Sequence, residues 1–331
     1  MIPVMTVTER PLRIAVLIPC YNEELSIAKT VLGFRAALPT ATIYVYENDS
    51  TDQTSARALE AGAVVRSEKL RGKGNVVRRM FADIEADVYL MADGDATYDP
   101  SPARAMIDLV LQGNLDMVVG KRVHTDATAY RHGHVAGNRL LTALLRNLFG
   151  QSFTDILSGY RAFSRRFVKS FPALSTGFEI ETELSVHALT LNMPIAEIEA
   201  NYVARENGSS SKLDTYRDGW RILFFMLVLF KNERPVTFFG LAGAALSLSS
   251  VLLSIPIFVT YFETGLVPRF PTAILSASMM LLAFLSLVCG LVLDTVTRGR
   301  RELKRLSYLQ IAGPGSWFPG PSGRDASELV G

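Results

Sequence analysis

Short apolar runs recur through the first third of the chain, separated by longer segments of mixed character. The runs are Arg13 to Ile18, Thr42 to Tyr46, Ala63 to Arg66, Val88 to Ala92 and Asp116 to Gly120. Runs of this length, bounded by turn residues, predict strands buried on both faces, as in a parallel sheet. Four helices are predicted between them. The first runs from about Ser26, a candidate N-cap, to Ala37, the second ends at about Ala61, the third ends at about Glu85, and the fourth runs from Pro102 to Gln112. The pattern indicates an α/β domain.

Polar side chains follow one predicted strand after another. They are Tyr21 to Glu24, Glu47 to Asp49, Asp93 with Asp95, and Lys121 with Arg122. Because parallel strands end at the same edge of a sheet, we expect these groups to form one site there. Asp93 and Asp95, separated by Gly94, would offer carboxylate oxygens to Mg²⁺ or Mn²⁺. A pair this short also arises by chance, and two solvated turn carboxylates are the alternative.

Several common functional classes lack their motifs here. No G-x-G-x-x-G follows the first strand, and the segment from Arg71 to Asn75 lacks the spacing of a P-loop. Ser158 lies in LSGYR rather than in the G-x-S-x-G of a nucleophile elbow. A net charge of +2 argues against nucleic acid as the main partner. Cys20 and Cys289, in a predicted strand end and a predicted membrane span, predict no disulfide.

Two segments near the carboxyl end are free of charged residues. They are Val236 to Phe262 and Phe270 to Leu293. Each exceeds the roughly 20 residues that cross a bilayer, so residues 236–262 and 270–293 are predicted to be transmembrane helices. The alternative is a buried helical hairpin. The preceding segment, residues 215–235, is strongly apolar but too short to span, and it predicts a helix lying at the membrane interface, with a core helix as the alternative.

Basic residues flank the two apolar segments. Lys231 and Arg234 precede the first, and a cluster that includes Arg298 and Lys304 follows the second. By the positive-inside rule, both flanks and the large amino-terminal domain face the cytoplasm. The first 12 residues lack the apolar core of a signal peptide. Residues 294–331 are expected to be a basic cytoplasmic tail, disordered in part because its end is rich in Gly, Pro and Ser.

The ordered motifs resemble a known family. IPCYNEE from Ile18, ENDSTD from Glu47, RGKG from Arg71, DGD from Asp93 and GKR from Gly120 together resemble the family 2 glycosyltransferases of GT-A fold. TDILSGYRAF from Thr154, GFEIETEL from Gly177 and RENGSSSKL from Arg205 are similar to the polyprenyl-phosphate glycosyltransferases, the dolichol-phosphate mannose synthase group. The resemblance covers about Arg13 to Pro235. It implies a Rossmann-like, mainly parallel sheet, and a following membrane hairpin is also found in some bacterial members.

The resemblance implies roles for individual residues. The nucleotide sugar would be bound by Pro19, Tyr21, Glu23, Glu47, Asn48, Lys73, Asp93 and Gly94. The divalent cation, Mg²⁺ or Mn²⁺, would be held by Asp93 and Asp95, which with Asp155 form the catalytic set. The lipid phosphate would be bound by Arg122, Arg205, Ser210 and Lys212, with Arg131 or Arg139 in addition. One departure is that many relatives carry two aspartates where this chain has Glu47 and Asn48.

The implied enzyme is a metal-dependent inverting glycosyltransferase on the cytoplasmic face of the inner membrane. It would move a sugar from a nucleotide diphosphate sugar to undecaprenyl phosphate, with a UDP-hexose as the favoured donor and GDP-mannose as the alternative. Residues 1–214 would form the catalytic domain, with a nucleotide-sugar half at 13–122 and an acceptor half at 123–214. Alternatives are a polysaccharide-elongating family 2 enzyme, whose Q-x-x-R-W motif is not visible, and a non-catalytic nucleotide-sugar-binding adaptor. Whether the chain forms a homo-oligomer is left open.

Two further groups of titratable residues have simpler interpretations. Glu179, Glu181 and Glu183 occupy alternating positions and cannot share one face of a helix. We therefore expect them to be solvated or to stabilise a helix start, with one or two at most entering the site. His132 and His134 resemble a metal-binding pair but lie in a glycine-containing loop without a third ligand.

Overall fold

A computed structural model describes residues 11–124, 153–203 and 215–314 of the chain. Arg131, His132, His134, Arg139, Arg205, Ser210 and Lys212 lie outside these ranges, as does the tail beyond residue 314. The chain forms two compact units. One contains the residues up to Ile222 together with those from Lys304 onward, and the other contains Leu223 to Leu303.

The first unit is built on a seven-stranded sheet. Its strands are β1 (Ile14–Cys20), β2 (Thr42–Glu47), β3 (Val64–Ser67), β4 (Val88–Met91), β5 (Met117–His124), β6 (Arg161–Ser164) and β7 (Ile195–Tyr202). They are arranged in the order β3-β2-β1-β4-β6-β5-β7, and β6 alone is antiparallel to its neighbours. The mainly parallel sheet predicted from the apolar runs is confirmed.

Among the described residues of this unit, six helices accompany the strands. They are α1 (Ile27–Ala37), α2 (Thr54–Glu60), α3 (Lys73–Asp83), α4 (Ala103–Gln112), α5 (Arg165–Ser170) and α6 (Ile180–Thr190). Every residue of β1 and β4 is buried, which is why their sequences are continuous apolar runs rather than alternating ones. Helix α4 buries Ala103, Met106, Ile107 and Val110, the spacing of a helix with one apolar face.

Two strands extend beyond their predicted ends. Strand β1 continues through Pro19, which pairs with Tyr46 of β2. Pairing with β4 stops at Leu17, so the missing N–H of Pro19 interrupts no hydrogen bond to that neighbour. Strand β5 continues to His124 because β7 pairs with it along its whole length. Lys121 and Arg122 therefore lie within strand β5, paired with β7, rather than in a following loop.

The second unit contains most of the three apolar helices, the first of which begins, and the last of which ends, within the first unit. Helix α7 (Thr215–Glu233) leads to α8 (Pro235–Thr264) and α9 (Phe270–Leu309), of which the last two are long and apolar enough to cross a membrane. Large apolar side chains such as Leu241, Phe262 and Phe284 are exposed along them. The two helices are joined by buried hydroxyls, since Ser250 donates to the Ser276 carbonyl at 2.7 Å and Ser276 donates back at 2.9 Å. Helix α9 does not stop at Leu293 but continues to Leu309.

Candidate active site

The D-G-D segment follows β4 after Ala92 and is fixed to the start of helix α1. The Gly94 carbonyl accepts hydrogen bonds from the Ser26 and Thr30 hydroxyls of helix α1, at 2.9 and 3.3 Å. A Cβ atom at position 94 would collide with the Cys20 sulfur, so only glycine allows this approach. Ser26 is the N-cap residue predicted from the sequence, but its side chain makes no capping hydrogen bond and holds this loop instead.

The two carboxylates of the segment differ in their surroundings. Asp95 is buried, and its Oδ1 accepts hydrogen bonds from the Thr97 hydroxyl at 2.6 Å and the Thr97 N–H at 3.2 Å. The side chain of Asp93 is 29% exposed. Between them and Thr97, Ala96 adopts a φ of 55°, an uncommon value that tightens the turn. The carboxylate of Asp93 is therefore partly exposed, whereas that of Asp95 is buried and held in place by Thr97.

Lys73, the first residue of α3, lies against Asp93. Its ammonium is 2.5 Å from Asp93 Oδ1 and 2.5 Å from Glu181 Oε1, and its side chain is only 10% exposed. Burial alone lowers the pKa of Lys73, but the charges of Asp93 and Glu181 outweigh this effect and raise it, so the ammonium stays charged. The sequence assigned Lys73 to the nucleotide sugar, and the structure brings it to the first aspartate of D-G-D.

The three glutamates around the start of α6 are buried, so the expectation that they are solvated is wrong. Glu181 binds Lys73. Glu183 accepts hydrogen bonds from the Leu174 and Ser175 N–H groups at 2.9 and 2.7 Å. Helix α6 is covered on all sides, which is why even its first-turn acids are enclosed. The helix-start placement was correct for Glu181 and Glu183, where the helix dipole favours carboxylates, and Glu179 is the N-cap residue.

The S-G-Y-R segment ahead of β6 runs directly against the D-G-D segment. A Cβ atom at Gly159 would lie 2.7 Å from Asp93 Oδ2 and 3.0 Å from the Lys73 ammonium. The Gly159 N–H donates to the Tyr98 hydroxyl at 3.0 Å, and the Ser158 hydroxyl donates to the Gly120 carbonyl at 2.6 Å. These contacts bring Gly159 from the predicted acceptor half of the domain to the candidate metal ligand Asp93.

Arg161 fixes this segment from beneath, a role that the sequence did not indicate. It is fully buried and donates to the Ile156 and Ser158 carbonyls at 2.6 and 2.9 Å, and to the Ser185 hydroxyl at 3.0 Å. Burial lowers the pKa of Arg161 to about 10. Its guanidinium holds the loop through hydrogen bonds to these neutral acceptors. The only sequence signal for this role of Arg161 is its position in the SGYRAF motif.

Arg122 and Asp155 form a bidentate ion pair. Both guanidinium-to-carboxylate distances are 2.7 Å, and the Arg122 N–H also donates to Asp155 Oδ2 at 3.2 Å. Burial lowers the pKa of Arg122, but the hydrogen bonds to Asp155, together with the charge of Asp155 and the nearby Tyr98 and Tyr202, outweigh this effect and raise it. The Tyr202 ring centroid is 5.7 Å from the guanidinium carbon. The structure thus joins one residue predicted for the lipid phosphate to one predicted for the catalytic set.

The residues predicted to bind the nucleotide lie at the ends of β1 and β2. Tyr21 faces the guanidinium of Arg71 at 5.6 Å, and Glu23 is buried with its Oε2 accepting from the Ser26 hydroxyl at 3.1 Å. Glu47 accepts from the Ser50 N–H at 2.7 Å. Pro19 is buried within β1. Nucleotide contacts by these residues stay predictions.

Asn48 holds the adjacent loop. Its amide nitrogen donates to the carbonyls of Glu68 and Leu70, both at 2.8 Å, while its oxygen accepts from the Gly72 N–H at 2.6 Å. Both amide hydrogens are therefore used within the protein. This loop leads into Lys73, so Asn48 contributes to the site by positioning its neighbour, and its contact with a nucleotide stays a prediction.

The donor set suits a divalent cation that is shared with a substrate. Asp93 and Asp95 supply hard carboxylate oxygens, while the described residues contain no group of three or more His, Cys, Asp or Glu side chains that could hold a metal by themselves. Mg²⁺ is typically bound by one or two carboxylates together with substrate phosphates. The two aspartates fit that arrangement, in which the protein provides part of the coordination shell and a phosphate-bearing ligand completes it.

Comparison with known proteins agrees with this geometry. Residues 15–171 match the model of Glycosyl transferase family 2. Glycosyltransferase AglJ of Haloferax volcanii is 32% identical over 304 residues, which cover 91% of this chain and 99% of the relative. The chain belongs to glycosyltransferase family 2. A second relative of this family 2 protein, the undecaprenyl-phosphate 4-deoxy-4-formamido-L-arabinose transferase of Yersinia enterocolitica, is 23% identical over 79% of this chain and 80% of its own.

Solved structures share the fold. Glucosyl-3-phosphoglycerate synthase of Mycobacterium tuberculosis superposes with a TM-score of 0.52 at 25% identity, over 66% of this chain and 80% of that one. The same synthase has been crystallised with Mn²⁺, UDP-glucose and phosphoglyceric acid. This family 2 chain therefore has the GT-A fold in its first unit, followed by two long apolar helices that could form a transmembrane hairpin.

Proposed function

We propose that this protein is a metal-dependent, inverting glycosyltransferase that moves a hexose from a UDP-sugar to undecaprenyl phosphate. The observation that carries the proposal is the close approach of Gly159, in the predicted acceptor half, to Asp93 of the D-G-D segment, where an added Cβ atom would lie 2.7 Å from the carboxylate. The apolar hairpin supports a lipid acceptor, as does the relative named for undecaprenyl phosphate. We further propose that the hairpin spans the inner membrane and that the catalytic domain is cytoplasmic.

The reaction is a displacement at the anomeric carbon of the sugar. An oxygen of the lipid phosphate forms the new bond on one face while the bond to the diphosphate breaks on the other, so the nucleoside diphosphate leaves with the electron pair. Phosphate monoesters are largely dianionic at pH 7, and the acceptor therefore needs positioning more than deprotonation. A divalent cation held by Asp93 and Asp95, as Mn²⁺ accompanies UDP-glucose in the mycobacterial synthase, would neutralise charge on the leaving group.

Arg122 is the described cation proposed to bind the lipid phosphate. Its guanidinium is oriented by the two 2.7 Å contacts with Asp155 and remains 23% exposed, which leaves part of its donor edge accessible. A planar guanidinium fixed in this way can offer its remaining N–H groups to a phosphate. We propose that Asp155 acts by positioning Arg122 near the reacting centre, and that Arg205, Ser210 and Lys212, with Arg131 or Arg139, complete the phosphate site.

The test is transfer of radiolabel from a panel of nucleotide sugars to undecaprenyl phosphate by the detergent-purified protein, with Mg²⁺, Mn²⁺ or EDTA. We expect labelled lipid with a UDP-hexose and none with EDTA. Arg122→Lys, which cannot keep the bidentate pair, should raise KM for the lipid. Arg104→Lys, the same substitution at an exposed pair with Asp108, is the matched control and should change nothing.

Other outcomes would identify the alternatives. If a nucleotide sugar binds but no donor labels the lipid, the acceptor is wrong or the chain is an adaptor. If label accumulates instead in a growing polysaccharide, the protein is an elongating family 2 enzyme. Labelled lipid from GDP-mannose would keep the reaction class and change the donor.

A further inference from the structure

The candidate metal ligand Asp93 is already occupied by a cation of the protein itself. The Lys73 ammonium lies 2.5 Å from Asp93 Oδ1. A metal ion bound by the same oxygen would therefore lie close to the positive charge of the lysine. Two cations cannot share a carboxylate oxygen at contact distance without strong repulsion. A divalent cation that binds Asp93 must therefore displace the ammonium or share the carboxylate with it.

The protein contains a second acceptor for that ammonium. Glu181 Oε1 is also 2.5 Å from Lys73, and the glutamate side chain is only 6% exposed. The other oxygen, Oε2, is buried and has no hydrogen-bond partner within the described parts of the chain. A buried carboxylate oxygen without a donor is unfavourable. An ammonium that leaves Asp93 could satisfy it without moving into solvent.

Crowding around Lys73 restricts where else it can go. The Gly159 backbone closes one side, since a Cβ there would be 3.0 Å from the ammonium. The side chain is 90% buried, and it emerges from the first turn of α3. Lys73 can thus exchange Asp93 for the remaining oxygen of Glu181 by a small movement of its flexible stem, whereas leaving the site would expose a buried glutamate without a counter-ion.

We propose that Lys73 is an internal counter-cation that neutralises Asp93 until a divalent cation arrives, and that Glu181 is the positioning residue that then retains its ammonium. This inference rests on the proposed function, because it assumes that Asp93 binds the metal. It assigns a role in metal affinity to a lysine and to a glutamate 108 positions further along the chain, neither of which is itself a metal ligand.

The experiment measures Mn²⁺ binding to the full detergent-purified chain, without nucleotide, from the loss of the free-ion electron paramagnetic resonance signal. Lys73→Met removes the competing cation and should tighten Mn²⁺ binding about tenfold, because repulsion at contact distance is removed. Lys69→Met, which removes the same charge from an exposed side chain four positions earlier, is the matched control and should leave the affinity near that of the wild type.

Glu181→Gln should have the opposite effect. With its second carboxylate gone, the ammonium is left to Asp93 alone, so Mn²⁺ should bind several-fold more weakly than to the wild type. In the Lys73→Met background, Glu181→Gln should weaken Mn²⁺ binding much less, because no ammonium remains that Glu181 could draw away from Asp93. This double variant removes a buried positive and a buried negative charge together. If Lys73→Met alone is unstable, the Mn²⁺ affinity of the double variant is compared with that of Glu181→Gln, and the double variant should bind more tightly because it lacks the competing ammonium.

The inference is overturned if Lys73→Met binds Mn²⁺ no more tightly than Lys69→Met, or if Glu181→Gln weakens binding equally with and without Lys73. Turnover separates this result from a failure of the proposed function. If EDTA abolishes sugar transfer while the affinities do not follow the pattern, only the inference fails. If transfer persists in EDTA, the metal role of Asp93 fails and the inference fails with it.

Discussion

Two buried charge clusters at opposite edges of one sheet differ in how completely they are satisfied. At the amino-terminal edge, the fully buried Asp116 accepts from the Ser164 hydroxyl at 2.6 Å, from Arg166 at 2.5 and 2.9 Å, and from the Tyr308 hydroxyl at 2.7 Å. At the carboxyl edge, Lys73 serves two carboxylates, and one oxygen of Glu181 has no partner among the described residues.

The difference separates a cluster that is saturated with internal partners from the cluster at the proposed metal site. Asp116 has two donors on each oxygen and one guanidinium that balances its charge, so it has little capacity for a further ligand. The Lys73 cluster has more negative than positive charge, and the side chain of Asp93 remains partly exposed. A surplus of carboxylate that includes a partly exposed side chain attracts a cation, which is the property expected of the metal and diphosphate site proposed above.

Breaking the Asp116 cluster should give the largest effect on folding. Asp116→Asn leaves the Arg166 guanidinium without its buried counter-charge, and loss of one partner from such a pair costs about 3 to 5 kcal/mol of unfolding free energy. Denaturant titration of the purified protein would measure this. Asp108→Asn, which breaks the exposed pair with Arg104, is the control and should cost less than about 1 kcal/mol. Equal losses in the two variants would contradict the contrast.

Breaking the carboxyl-edge site should affect turnover instead. Asp95→Asn retains an oxygen for Thr97 but removes the charge, and we expect sugar transfer to fall more than about 100-fold, since even outer-shell changes at metal sites reach that size. The thermal unfolding midpoint, followed in the same preparation, should stay near the wild-type value. A variant that unfolds early, or that retains near-normal turnover, would remove Asp95 from the metal site.

A smaller effect is expected from removing a single hydrogen bond of the Asp116 cluster. Tyr308→Phe removes one of the four donors to Asp116, and a hydrogen bond to a charged group of this kind contributes about 1.5 kcal/mol. Unfolding free energy should fall by that amount while turnover is unchanged. Tyr261→Phe, at an exposed tyrosine of α8, is the matched control. A fall in turnover without a loss of stability would mean that the Asp116 cluster influences the site around Lys73, which would contradict the separation of the two clusters.

The sequence predicted the framework well where local patterns carried the information. The apolar runs identified five strands, and the polar residues after them identified the site edge. The sequence yielded a motif but no strand for β6, which has only four residues, and neither a motif nor a strand for β7, which is partly exposed with a mixed pattern. Glu179, Glu181 and Glu183 were misjudged because alternating acids normally indicate solvent, and only the complete covering of α6 buries them.

The sequence by itself therefore determined the fold class, the family and the sheet edge at which the candidate site residues lie, since these depend on periodicity and on ordered motifs. The tertiary structure decided which charges meet. Lys73 with Glu181, Arg122 with Asp155, and Asp116 with Tyr308, 192 positions apart, are pairs that no local pattern encodes. Their partners are set by how distant segments pack, and packing fixes whether a buried charge is balanced or left ready for a ligand.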